Sequence, residues 1–245
     1  IMAVPLSVPS ALILAVLIHT NYPGVKLFRA VFFVPSVAGV IGVTLIWKGL
    51  FNAQTGTINW SIGRVGEWVN AVLPGDPVPE RVEIGWLSDP SVPFGLPQVW
   101  WLPSIALITV VIVFAWAQFG FNTVLFSAGL QSISKELYEA AELDGANSWQ
   151  RFRNVTIPSL RSTTFFVTAT TVILCLQLFD IVYALNQPNP VGFPNNATLT
   201  PVVYLYQLGF QQNAFGLASA VAWVLFILIF FFTLAQFRRQ RAEVE

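Results

Sequence analysis

Long apolar runs alternate with polar intervals along the whole chain. The runs cover residues 1–18, 30–50, 99–121, 162–184 and 214–236. Each is close to the roughly 20 residues that a helix needs to cross a hydrocarbon core of ~30 Å. Pro5 and Pro9 lie in the first run, as membrane helices tolerate. In the second, Ala38 and Gly42 have the small-xxx-small spacing that lets helices approach closely. The third run can continue as helix to Leu130. Among the intervals, 51–98 is polar and rich in Pro and Gly, yet Ile62, Val65, Val69 and Val72 share one helical face, which predicts a helix lying on a membrane surface. Residues 185–212, with NQPNPVGFPNNATLTP, are dense in turn formers and read as a second segment outside the bilayer. The pattern predicts an all-α integral membrane protein, one helical bundle over 1–245.

The interval 132–158, SISKELYEAAELDGANSWQRFRNVTIP, holds Lys135, Glu136, Glu139, Glu142, Asp144, Arg151 and Arg153 between two apolar runs. Ser134 is a candidate N-cap for a short helix through Leu143, with Lys135 and Glu139 spaced as an i,i+4 pair. Gly145 suits a turn or helix C-terminus, since glycine takes positive φ without a Cβ clash. Asn147 or Ser148 can cap a second helix carrying Trp149 and Phe152 at i,i+3, which Pro158 stops. Two short amphipathic helices joined by a glycine elbow suggest a docking surface for another protein.

Composition narrows the classes. The chain is 55% hydrophobic and 10% charged over 245 residues, and neither 90–134 nor 181–237 contains a charged residue. A formal net charge of zero supplies no basic face for nucleic acid. Cys175 is the single cysteine and His19 the single histidine, so no internal disulfide, thiol metal site or Ser-His pair is at hand, and His19 reads as a loop residue. GxxxxGK[ST] and HExxH are both absent from the sequence. No cofactor and no catalytic set is expected.

Glu139-Ala140-Ala141, three residues, Gly145, nine residues and then Val155-Thr156-Ile157-Pro158 together resemble the EAA loop of ABC-importer permeases. Val155 and Ile157 stand conservatively at that motif's Ile and Leu. The preceding AGLQSIS resembles the AGLQSIP of carbohydrate permeases, with Ser134 where proline is usual. KGLFNAQTGTIN, WLSDP, LFD and FGLASA are similar to maltose-type first permease subunits. A departure is Asn186-Gln187-Pro188-Asn189-Pro190, where a glycine-rich turn is common in that family.

The resemblance implies a type I permease fold of six spans, five of them visible, with a further spanning helix before Ile1. It implies a bacterial inner-membrane subunit working with a second permease subunit, ATP-binding cassette subunits and an extracytoplasmic solute-binding protein. ATP would then be hydrolysed elsewhere. Glu139, Ala140, Ala141, Asp144 and Gly145 would couple to the ATPase: Gly145 makes the turn, Ala140 and Ala141 offer a close-packing surface, and Glu139 and Asp144 orient the loop by charge-assisted hydrogen bonds. The family's path-lining positions fall on Ser36, Val40, Phe114, Gln118, Phe121, Thr171, Cys175 and Leu178. Ser36, Gln118 and Thr171 would bond hydroxyls and Phe114 and Phe121 stack on a sugar ring, although such stripes serve helix packing equally well.

Charge agrees on orientation. With the EAA loop and C-terminus in the cytosol, Lys26, Arg29, Lys135, Arg151, Arg153, Arg161, Arg238, Arg239 and Arg241 lie inside and Lys48, Arg64 and Arg81 outside, as the positive-inside rule asks. Asp180 is the one acid in a predicted span; near its outer end, it reads better as a capping or paired group than as a substrate or ion ligand. Rival readings fare worse. A membrane-bound lipid transferase would need an acidic metal cluster at the interface. A self-contained secondary transporter would carry an internal repeat and more buried charges. Amino-acid or peptide import is the runner-up within the permease reading.

Overall fold

The computed structural model describes residues 1–19, 32, 38–72, 83–93 and 102–242. Regular structure among these is entirely helical. The helices are α1 (Val4–His19), α2 (Val40–Leu50), α3 (Thr57–Val72), α4 (Ile105–Gln131), α5 (Lys135–Leu143), α6 (Ser148–Arg151), α7 (Arg161–Leu176), α8 (Asp180–Asn186), α9 (Pro201–Tyr206) and α10 (Phe215–Ala242). A π-helical turn, Phe152–Thr156, and a short helix, Ile157–Ser159, join α6 to α7. α4 and α10 are long and apolar enough to cross a membrane, and the stretch Ser148–Ser159 with α7 qualifies as a pair bent by 65°. α1 and α2 are shorter apolar helices.

The chain divides into two compact units. The first comprises Ile1–Ala38, Ala115–Leu176 and Val224–Glu245. Its core joins Val8, Ala11 and Ala15 of α1 to Phe126 and Leu130 of α4 and to Leu160 and Val167 at and within α7. Two alanines on one face of α1 let backbones come close, the usual device where lipid removes the hydrophobic drive for helix association. Gly129 of α4 does the same: a Cβ there would sit 2.5 Å from Thr163 Oγ1 and 2.9 Å from Leu160 Cδ2. Asn122 Nδ2 donates to Thr171 Oγ1 at 3.2 Å, and that hydroxyl donates to the Val167 carbonyl at 2.7 Å. Both polar groups are thereby satisfied within the buried packing.

The second unit comprises Gly39–Phe114 and Gln177–Trp223. Asn59 is its hub. Buried on α3, it accepts from Trp86 Nε1 at 2.7 Å and donates to the carbonyls of Ala53 and Ile84 at 2.9 and 3.1 Å. Thr109 of α4 donates to the Trp86 carbonyl at 2.9 Å. The Trp86 ring lies 5.5 Å from Phe51, which stacks on Trp47 of α2 at 5.5 Å. Asn52 Oδ1 accepts from the amides of Gln54 and Thr55, and a Cβ at Gly56 would meet the carbonyl oxygens of Leu50 and Asn52. KGLFNAQTGTIN is thus a turn that only glycine can close, locked onto WLSDP by one asparagine.

Three expectations are corrected. The run 162–184 is not one continuous helix: α7 ends at Leu176, and Asp180 opens the separate helix α8. Asp180 is therefore an exposed residue of a helix first turn, where the positive end of the helix dipole favours a carboxylate. Gly42 has open space where a Cβ would be, so among the described residues no helix packs closely on it. On α3, Val65 and Val72 are exposed together with Trp60 and Trp68, while Ile62 and Val69 are half-buried, so the exposed apolar face includes two tryptophans beyond the four aliphatics. Within 185–212 the turn is held from inside: Asn186 Nδ2 donates to Thr198 Oγ1 at 3.1 Å, Thr198 Oγ1 to the Phe193 carbonyl at 2.8 Å, and Gln207 to the Val191 carbonyl.

Asn59→Ala removes three hydrogen bonds and leaves the Trp86 indole N–H without its partner. It should lower stability by about 3 kcal/mol, at roughly 1 kcal/mol per bond, read as a drop in the thermal unfolding temperature in detergent. Asn59→Asp, which keeps the acceptor for Trp86, should lose less if the indole bond dominates.

Candidate functional site: a self-capped polar loop and two sets of path positions

Ser134 starts α5 in extended geometry and accepts from the Glu136 amide at 3.2 Å. At the other end the chain turns at Gly145 with φ +76°. The Gly145 amide donates to the Glu142 carbonyl at 3.0 Å and the Ala146 amide to the Ala141 carbonyl at 2.9 Å. This is a Schellman closure, with glycine in the left-handed position it favours. Two residues on, Asn147 and Gln150 cap each other: Asn147 Oδ1 accepts from the Gln150 amide at 2.9 Å, and Gln150 Oε1 accepts from the Asn147 amide at 2.8 Å. Helix ends otherwise carry orphan donors and acceptors. Here both ends facing the elbow are closed by the loop's own groups.

The two short helices are braced to each other. Tyr138 Oη lies 2.9 Å from Thr156 Oγ1, and Arg151 pairs with Glu142 at 3.1 Å. The Trp149 and Phe152 rings meet at 5.6 Å, tilted by 35°, as their i,i+3 spacing predicts. The expected Lys135–Glu139 pair does not form; the ion pair joining these helices is Arg151–Glu142. Glu139 and Asp144 are exposed and make no side-chain hydrogen bond with any described residue, so among these residues they do not orient the loop. That task falls to Tyr138, Glu142 and Arg151, which sequence periodicity does not single out. Pro158 lacks the N–H that would donate to Asn154; the π-helical turn Phe152–Thr156 widens the backbone just before it, and the helix direction then changes by 65° into α7.

Nothing on α5 or α6 is buried. Leu143, beside the elbow, is 90% exposed, and Trp149 is 66% exposed. Ala140 is exposed and Ala141 half-buried. A rigid loop that presents large apolar side chains to solvent has the composition of an interface.

The expected path residues divide by environment. Ser36 lies outside the described residues. In the first unit Gln118 is half-buried, Phe121 is 44% exposed, Cys175 is half-buried, and Thr171 is 1% exposed with its hydroxyl committed to Val167. In the second unit Val40 is exposed, Leu178 is half-buried and Phe114 is 2% exposed. Thr171 and Phe114 therefore sit in packing, whereas Gln118, Phe121 and Val40 retain open surface. The Leu178 carbonyl accepts from Thr200 Oγ1 at 2.6 Å, which ties the break between α7 and α8 to the start of α9.

A set of rings in the second unit was not anticipated. Phe179, Tyr183, Tyr206 and Phe210 follow one another at 5.1–5.7 Å, and Phe215 stands 6.4 Å from Phe210. Hydrogen bonding with Tyr183 raises the Tyr206 phenol above its ordinary pKa. The i,i+4 pairs 179/183 and 206/210 were visible in the sequence; their meeting across the segment 187–200 was not.

A helical membrane subunit with an exposed, self-capped loop between apolar helices is the architecture of a transport permease. The chain belongs to the family described as "binding-protein-dependent transport system inner membrane component", which it matches over residues 1–242. It is 33% identical over 245 residues to the lactose transport system permease protein LacF of Rhizobium radiobacter, covering 98% of this chain and 72% of the relative. To the arabinooligosaccharides transport system permease protein AraP of Halalkalibacterium halodurans it is 31% identical, covering 96% of this chain and 66% of the relative. An osmoprotective compounds uptake permease, GgtC of Synechocystis, is 30% identical over 97% of this chain and 75% of its own length. The fold matches a crystal structure of a bacterial ABC transporter importing alginate with TM-score 0.75 at 19% identity, over 100% of this chain and 77% of that one.

Gly145→Val forces a β-branched residue into positive φ, at a cost of about 1–3 kcal/mol. The Schellman bonds should open. Amide exchange at Gly145 and Ala146 should then rise roughly tenfold or more while that of α4 stays unchanged.

Proposed function

We propose that this chain is a permease subunit of an ATP-driven importer, lining the path of a sugar or sugar-like solute delivered by an external binding protein. ATP is hydrolysed by a separate subunit gripping loop 132–158, and a second permease subunit completes the path. The observation that carries this reading is the loop itself, whose ends are closed internally while Leu143 and Trp149 face outward. Because α6 and the turns after it run into α7 through a bend rather than a flexible linker, force on the loop passes to a membrane helix as a rigid-body movement. The coupling surface comprises Glu139, Ala140, Ala141, Asp144 and Gly145, extended here by Leu143 and Trp149.

The relatives named for lactose and arabinooligosaccharides support carbohydrate as the solute class. The likeness in fold to a bacterial alginate ABC transporter in complex with its alginate pentasaccharide-bound periplasmic protein supports an external binding-protein partner. Amino-acid or peptide import draws no comparable support. Loop 132–158 and the C-terminus face the cytosol, with nine of the twelve cations on that side by sequence, and spans near 1–18, 30–50, 99–121 and 214–236 cross the bilayer together with α7, Arg161–Leu176. Ser36, Val40, Gln118, Phe121, Cys175 and Leu178 line the path, while Phe114 and Thr171 hold its wall.

Two variants test these assignments separately. Leu143→Asp should abolish copurification of the ATPase and ATP-dependent uptake without altering amide protection in α4; retained coupled transport would contradict the docking role. Gln118→Leu should slow uptake by roughly tenfold, the loss of about one hydrogen bond at 1.4 kcal/mol, in a complex that assembles normally. The solute panel should contain mono-, di- and trisaccharides beside small osmoprotective solutes, and unchanged uptake in the Gln118 variant across the panel removes that residue from the path.

A further inference from the structure

A cavity of about 570 Å³ lies in the first unit, where the beginning of α7 meets the end of α10. Its walls carry Arg161, Ser162 and Phe165 of α7, Ile157 just before it, and Gln236 and Arg239 of α10. Phe165 packs edge-on to Phe237 at 5.0 Å, which holds the two helices together beneath the cavity. Arg161 and Arg239 are exposed and form no ion pair with any described residue. The Gln236 carbonyl oxygen is buried without a hydrogen-bond donor, a deficit that is relieved when a donor enters. The site thus combines two cations that are unpaired among the described residues, hydroxyl and amide groups, and an apolar wall.

Its depth identifies what fills it. α10 is apolar from Phe215 and acquires charge only at Arg238, so the cavity lies where the helix leaves the hydrocarbon. α7 begins with Arg161 at that same level and runs back into the apolar layer. Only 6% of the apolar window of α10 is buried within the chain, leaving a helix flank open for acyl chains directly below the cations. We infer that this cavity binds the headgroup of an anionic phospholipid, with Arg161 and Arg239 on the phosphodiester and a headgroup hydroxyl meeting the Gln236 amide. Phosphatidylglycerol supplies both features. Basic pockets between membrane helices at the interface bind such lipids by this chemistry. The inference requires only that α10 spans the membrane, and its readout is lipid binding rather than transport.

The test is a titration of the purified complex containing this chain, in detergent, followed by native mass spectrometry. The probes are dioleoylphosphatidylglycerol, dioleoylphosphatidylcholine and free glycerol-1-phosphate. Phosphatidylglycerol should bind in preference to phosphatidylcholine, and glycerol-1-phosphate should not displace it at equal concentration. Arg161→Gln with Arg239→Gln should weaken binding about 30-fold, equivalent to roughly 1 kcal/mol for each cation. Arg239→Gln alone, at an exposed helix end, should weaken it about fivefold and guards against misfolding of the double variant. Arg238→Gln, which removes the same charge outside the cavity, should leave it unchanged. Equal binding of the two lipids, displacement by glycerol phosphate, or equal losses in the Arg238 and Arg239 variants would overturn the inference.

Discussion

The backbone groups at a helix end have no partner inside the helix, and the constraint of closing them with the chain's own groups governs the protein more than any single contact. Loop 132–158 meets it with Ser134, the Gly145 turn and the reciprocal Asn147–Gln150 cap. The turn after α2 meets it with Asn52 and Asn59. The start of α9 meets it with Thr200, which also reaches back to the Leu178 carbonyl. In each case a side chain at a helix boundary takes up backbone groups that the helix itself leaves unpaired, at about 1 kcal/mol per cap. The helices can then present their sides, rather than their ends, to lipid or to another protein.

What was legible from sequence was what repeats or what sits locally. Apolar runs of membrane length are one-dimensional, so α4 and α10 emerged close to their expected places. Caps and turns lie within four residues of the groups they satisfy, so Ser134, Gly145 and Asn147 could be read directly. The break at 177–179 could not: Gln177, Leu178 and Phe179 contain neither Gly nor Pro, and the Leu178 carbonyl is engaged by a threonine 22 residues away. Asn59 was hidden for the same reason. Its partners at Ala53, Ile84 and Trp86 come together only after the chain has folded back, and no periodicity marks such a meeting.

The path positions show a different limit. A helical stripe identifies residues that share a face without saying whether lipid, another helix or open space lies opposite. Thr171 and Gln118 are both polar residues in apolar helices, yet Thr171 spends its hydroxyl on Val167 and Asn122 while Gln118 keeps open surface. The difference comes from Asn122, which stands on another helix and supplies Thr171 with a donor. Hydrogen-bond supply, rather than polarity, separates a packing residue from one with capacity left for a solute.

The same reasoning explains why the polar loop is stiff as well as exposed. An interface element that ordered only on binding would lose part of its binding free energy to ordering. Here the Tyr138–Thr156 and Arg151–Glu142 bridges hold α5 against the segment leading into α7 before any partner arrives. The cost of presenting Leu143 and Trp149 to water is borne by the free chain and removed on burial, so both effects favour the bound state. Beyond the loop, the widened turn before Pro158 and the bend into α7 keep the backbone continuous from the proposed docking surface to the apolar helix. A partner's movement therefore need not first take up slack before it reaches the apolar layer.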